Sequence, residues 1–173
     1  MRKARMKHAA MLAAVLVCGS LLRLLAAPAN GKTLTASAAD KTFLSNVSQG
    51  GLYEVEAGEV AAERGKYLAV KDFGALDAHD HDGVNAQLKH IADATGEKIE
   101  PGLNAQFTAR LVKLKAVPDD QFDSYYIEDM KDIHNKDEAL FVKEAQDGSG
   151  PYKEFAKEAG ILVRAHLGWL NTI

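Results

Sequence analysis

Residues 118–170 read PDDQFDSYYIEDMKDIHNKDEALFVKEAQDGSGPYKEFAKEAGILVRAHLGWL, and this stretch decides the fold. Pro118-Asp119-Asp120 is a helix-start signature: proline is tolerated in a first turn, and aspartates complement the free N–H groups there. Apolar residues then recur at helical spacing from Phe122 to Ala145, until Gly148-Ser149-Gly150-Pro151 stops the run. Pro151 opens a second helix, whose apolar positions Phe155, Ala159, Leu162, Leu167 and Leu170 reach almost to the end of the chain. Two long amphipathic helices across so short a turn form an antiparallel hairpin.

The preceding half repeats the pattern. Asp40 to Arg64 has helical period, with Asp40 as the expected N-cap and Gly65 as the stop. Lys66 to Ala94 carries Tyr67, Val70, Phe73, Gly74, Leu88, Ile91 and Ala92 at helical spacing, with Gly96 as the C-terminal signal. Between Thr95 and Pro118 the chain is too long for a tight turn, and a short helix is expected from Leu103 to Lys115 after Pro101-Gly102. The expectation is an all-α, ferritin-like four-helix bundle: two helical hairpins joined by a long crossover with a short helix. An up-down-up-down bundle is the alternative.

At the other end, residues 1–29 read as a signal peptide. Arg2, Lys3, Arg5 and Lys7 make a basic start, Ala9 to Cys18 an apolar stretch, and Ala27-Pro28-Ala29 a small-x-small cleavage site. Ala36-Ser37-Ala38 offers a second cut. An uncleaved anchor, or a lipidated Cys18, would instead tie the protein to a membrane, but Arg23 interrupts the apolar run and Val17 is a poor residue before a lipidated cysteine. The expected organisation is signal peptide 1–29, flexible leader 30–39 and bundle domain 40–173, in a periplasmic or secreted protein.

Cys18 is the only cysteine, so a chain cut after Ala29 has no thiol, and disulfides, Cys-zinc sites and Cys nucleophiles are excluded. Residues 30–173 hold 16 basic and 24 acidic residues, a net charge of −8. That balance argues against nucleic acid and against anionic membrane surfaces as partners. A partner protein or a metal ion stays open, as does the oligomeric state. No phosphate-binding glycine loop, nucleophile elbow or internal repeat is present.

Helical phase sorts the polar residues. His81 shares a stripe with Val70, Gly74, Leu88 and Ala92, whereas His79 and His90 fall on the opposite side. The run Asp77-Ala78-His79-Asp80-His81-Asp82 packs two histidines among three aspartates, but its histidines diverge by about 200° in a helix and cannot share an ion. His134 lies on the stripe of Ile127, Met130 and Phe141, and His166 on that of Phe155, Ala159, Leu162 and Leu170. Glu54 alone among the first helix's glutamates shares the face of Phe43, Val47 and Ala61. Counted from the turns, the three histidines are level at mid-bundle, with Glu54 about 6 Å off along the axis. Asp123 shares the His134 face three turns earlier and reads as a first-turn cap. Tyr125, Tyr126 and Trp169 read as aromatic packing.

The stretches Gly51-Leu52-Tyr53-Glu54-Val55-Glu56, Asp80-His81, Phe122-Asp123-Ser124-Tyr125-Tyr126 leading to Met130 and His134, and His166-Leu167 resemble family 4142 of the domains of unknown function. The resemblance spans about Lys41 to Leu170. It implies export from a bacterial cell, a ferritin-like bundle and the four inward residues, and it implies no activity. Neither His134 nor His166 has a carboxylate three residues before it, so the Glu-x-x-His pairs of di-iron bundles are absent.

Glu54, His81, His134 and His166 therefore form the candidate site. Three imidazoles and a carboxylate suit one divalent zinc, manganese, iron or copper ion. The competing reading is a metal-free hydrogen-bonded layer that fixes helix register. Three functions follow: an exported metal-binding module, a metal-free envelope interaction or structural domain, and a small metal-dependent redox or stress-response enzyme.

Overall fold

The computed structural model describes residues 34–173; the expected signal peptide, Cys18 and the start of the leader lie outside them. Five helices follow in order: α1 (Ala38–Arg64), α2 (Leu68–Thr95), α3 (Ala105–Lys115), α4 (Asp119–Asp147) and α5 (Gly150–Leu170). The fold is all-α. α1 and α2 form one hairpin, α4 and α5 the other, and α3 lies in the connection between them.

Around the bundle α1 packs on α2 and α4, and α5 packs on α4 and α2. In an up-down-up-down ring α2 and α4 would be neighbours through a short turn. Here the long 96–118 connection carries the chain across instead, with α3 resting on α1 and α4. That is the crossover topology the sequence leads one to expect.

The helix ends show why the chain breaks where it does. Gly96 takes the left-handed conformation, φ 75°, and closes α2 by returning its N–H to the carbonyls of Ala92 and Asp93. Arg64, at the end of α1, donates to the carbonyls of Lys115 and Val117 and to Asp119, fastening the hairpin turn to the crossover. α1 starts before Asp40: its N-cap is Ser37, whose hydroxyl accepts the Asp40 N–H while Asp40 accepts the Ser37 N–H. Asp40 is thus the third residue of a capping box rather than the cap itself. The last leader residues belong to the fold, with Ala36 buried. Asp123 does not cap its own helix either. Its carboxylate accepts the N–H groups of Lys66 and Tyr67, 2.8–3.2 Å away, and so holds the α1–α2 turn against α4.

Gly58 and Gly74 set the register of the first hairpin. A Cβ on Gly58 would lie 2.5 Å from the Gly74 carbonyl oxygen, and one on Gly74 would lie 2.7 Å from that of Gly58, so the backbones touch only because both lack a side chain. Ala78 packs against Gly58 as well, and one turn earlier on α1 the Glu54 carboxyl lies 3.3 Å from His81 Nδ1 of α2.

The core is divided. One apolar cluster, including Phe43, Val47, Leu88, Phe141 and Phe155, fills one end of the bundle. A second, including Phe73, Leu114, Phe122, Tyr126 and Met130, fills the other. Between them lies a layer of buried polar side chains: Glu54, Asp77, His81, His134, Asp137 and His166.

Candidate metal centre

Each long helix contributes to this layer. The three histidines chosen by phase are buried, at 3 % exposure for His81, 0 % for His134 and 2 % for His166. His79 and His90 are exposed. Glu54 is completely buried and also reaches the layer, the Gly58–Gly74 register closing the axial gap inferred from turn counting.

Four atoms converge at the centre: Asp77 Oδ1, His81 Nε2, His134 Nε2 and His166 Nδ1. The carboxylate oxygen lies 3.6 Å from His81 Nε2, 3.3 Å from His134 Nε2 and 3.1 Å from His166 Nδ1. His134 Nε2 and His166 Nδ1 are 3.2 Å apart, and the four residues' ligand atoms all fall within 4.8 Å of one another. Donors about 2.1 Å from a common ion, at angles between 90° and tetrahedral, are separated by about 3.0–3.4 Å. Three of the measured edges lie in that interval and the fourth just beyond it.

Each imidazole has an outer partner on its remaining nitrogen. His134 Nδ1 is 2.9 Å from the Met130 carbonyl oxygen; a carbonyl only accepts, so Nδ1 carries the proton and Nε2 turns a lone pair to the centre. His166 Nε2 is 3.1 Å from Asp80 Oδ2, which leaves Nδ1 facing inward. His81 Nδ1 is 3.3 Å from Glu54 Oε2. Glu54 Oε1 is 3.3 Å from His134 Nδ1, so Glu54 borders both rings on the side away from the convergence point.

The electrostatics separate the two carboxylates. Burial drives the Glu54 carboxyl well above its ordinary range and the nearby Asp137 charge adds to this, against the attraction of His134. Burial acts in the same direction on Asp77, but contact with His134 and His166 and the charge of His81 more than reverse it, holding Asp77 well below the usual carboxylate range. Burial also pushes His81 down to about 3, against the pull of Asp77, so it stays neutral. His166 goes the other way: Asp77 and Asp80 outweigh burial and raise it to about 9. Asp137, also buried, is pushed up to about 6.

Both oxygens of Glu54, both oxygens of Asp77 and both nitrogens of His81 are buried without an aligned hydrogen bond. Close approach of donors and acceptors without the alignment of hydrogen bonds is what a ligand shell around a cation looks like. The residues present therefore fit a metal ion.

Asp77 is the participant that stripe counting does not single out. It lies four residues before His81 on the same face, one helical turn away, and that spacing was the available signal. Asp137, three residues after His134, lies on that residue's face for the same reason. Tyr126 has a buried hydroxyl without a hydrogen-bond partner, and Trp169 packs edge-on against Phe73.

Comparison with known proteins bears on the fold. A crystal structure of a DUF305 fragment from Deinococcus radiodurans superposes with a TM-score of 0.70 at 12 % identity, covering 80 % of this chain and 97 % of that one. Among curated proteins no sequence matches this chain. Residues 25–173 match the family described as domain of unknown function DUF4142, and the chain belongs to that family.

Proposed function

We propose that this domain is a metal-binding module that holds one divalent transition-metal ion at mid-bundle. Asp77 Oδ1, His81 Nε2, His134 Nε2 and His166 Nδ1 serve as ligands. The observation that carries the reading is their convergence within 4.8 Å in a buried layer, with Asp77 and His81 left without hydrogen bonds. Glu54, named with the three histidines from the sequence, takes the outer position, where it and Asp80 orient His81 and His166. Three imidazoles and one carboxylate are borderline ligands, suited to zinc, manganese, iron or copper.

Four protein ligands, all at least 97 % buried, describe a closed site. Closed sites serve storage, delivery or structure, whereas a catalytic metal keeps a position open. Export is part of the proposal and rests on residues 1–29; among the described residues no helix is long and apolar enough to cross a membrane. The acidic balance of residues 30–173 disfavours nucleic acid as a partner.

Elemental analysis of the protein purified from its own compartment tests the reading. One ion per chain, and a melting temperature that falls on chelation, are expected. A second reading, a metal-free layer in which protonated His166 neutralises Asp77, is favoured by the raised His166 and lowered Asp77. It requires metal-free isolates and a melting temperature that chelator does not move.

A further inference from the structure

A second pair of buried acids lies away from the histidine layer, where the start of α1 meets the α4–α5 turn. Asp40 is 0 % exposed and Glu144 4 %. Asp40 accepts three donors: the capping-box N–H of Ser37 at 2.7 Å, the Ser149 N–H at 3.0 Å and the Ser149 hydroxyl at 2.6 Å. The Glu144 carboxyl folds over Gly148, the chain neighbour of Ser149, and so lies at the same turn. Glu144 Oε1 is itself buried with no hydrogen-bond donor. Two carboxylates are acceptors only, so they hydrogen-bond only when one holds a proton.

The backbone fixes this contact. The Glu144 side chain folds over Gly148 so closely that a Cβ there would overlap Oε1. Its carboxyl therefore sits over the last turn of α4, at the negative end of the helix dipole, which disfavours ionisation. The charged neighbours are engaged elsewhere. On α4 Lys143 pairs with Asp147 at 2.7 Å, on α1 Lys41 pairs with Glu97 of the crossover at 2.8 Å, and on α5 Lys153 donates to the Gln146 carbonyl at 2.7 Å. The Tyr152 hydroxyl of α5 is 2.8 Å from Thr95 Oγ1.

We propose that Asp40 and Glu144 form a proton-linked clasp, which fastens the first turn of α1 to the α4–α5 turn while Glu144 is protonated and loosens when Glu144 ionises. Burial, reinforced by the bond to Asp40 and by its charge, pushes the Glu144 carboxyl up to about 7. Asp40 keeps the negative charge: burial opposes this, but the Ser149 hydroxyl, Glu144 and the two backbone N–H groups hold it well below the ordinary range. A folded-state pKa above the unfolded value means that Glu144's contribution is complete below the ordinary glutamate range and disappears as pH rises through about 7. The clasp is independent of the metal reading, since neither acid belongs to the histidine layer.

Carbon-detected NMR of the Glu144 carboxyl, with hydrogen exchange across residues 38–44, tests it on the protein as isolated. Glu144 is expected to titrate near neutrality, and protection of residues 38–44, corrected for intrinsic exchange, to fall about tenfold between about pH 5.5 and pH 8. Glu144→Gln supplies an uncharged donor to Asp40 and should keep protection high across the range. A Glu144 titration in the ordinary glutamate range overturns the proposal, and so does a Glu144→Gln protein that retains the wild-type pH dependence. The wild-type titration decides the matter by itself if that variant does not fold.

Discussion

Asp77 and Asp40 are both 0 % exposed, yet they are buried in opposite ways. Asp40 is surrounded by donors, two backbone N–H groups and a serine hydroxyl, and no imidazole is among its hydrogen-bond partners. Asp77 faces three imidazole nitrogens and has no aligned hydrogen bond to either oxygen. A carboxylate whose oxygens already accept N–H and O–H groups is held as a structural staple rather than offered to a cation. One placed among ring nitrogens of competing protonation is a ligand in waiting. Burial alone therefore does not identify a site; the chemistry of the contacting atoms does.

The largest effect that would break this contrast is expected from Asp77→Asn. It removes a first ligand, and metal affinity measured by competition with a chromophoric chelator should fall by more than about 100-fold, beyond the range of an outer-shell change. Unchanged affinity would place the ion elsewhere or nowhere. Glu54→Gln should cost about 10–100-fold in the same assay, because Glu54 orients His81 and His134 without reaching the centre. An effect as large as that of Asp77→Asn would move Glu54 into the ligand shell.

Gly74→Ala sharpens the geometric side. The new Cβ would meet the Gly58 carbonyl oxygen at 2.7 Å and Ala61 Cβ at 2.8 Å, so denaturant unfolding should show a loss of about 2–3 kcal/mol. Asp40→Asn should destabilise by a smaller amount, about 1.5–2 kcal/mol, and leave metal affinity unchanged. Asp40's folded pKa is depressed, so its contribution is present above the ordinary aspartate range and is lost as pH falls below it. The wild-type difference from Asp40→Asn should thus shrink below about pH 4, and should shrink again as pH rises through about 7 and Glu144 ionises. His79→Ala, on the exposed side of α2, should change stability by less than about 0.5 kcal/mol and affinity not at all.

Helical period gave the five helices to within a few residues at most ends, because apolar spacing and Gly/Pro punctuation are local properties of the chain. Phase also separated buried His81 from exposed His79 two residues away, since a helix turns those side chains to opposite faces. Glu54 was legible as inward, but not its position beside the Nδ1 atoms of His81 and His134. Its height depends on the Gly58–Gly74 contact, where α1 and α2 meet, and turn counting placed it about one helical turn away. Asp77 shared the right phase, yet in a run of alternating aspartates and histidines its inward direction carries no mark of its own.

What the sequence determined by itself is whatever one helix can encode: where each helix runs, which face it buries and which polar residues ride on that face. Distances between helices decided the rest. Asp77 takes the centre and Glu54 its rim because two glycines let the backbones of α1 and α2 touch. Asp40 joins Ser149, more than a hundred positions away in the chain, because the ends of α1 and α4 meet. Such contacts depend on the relative translation of packed helices, which side-chain interlocking fixes only when all four are assembled.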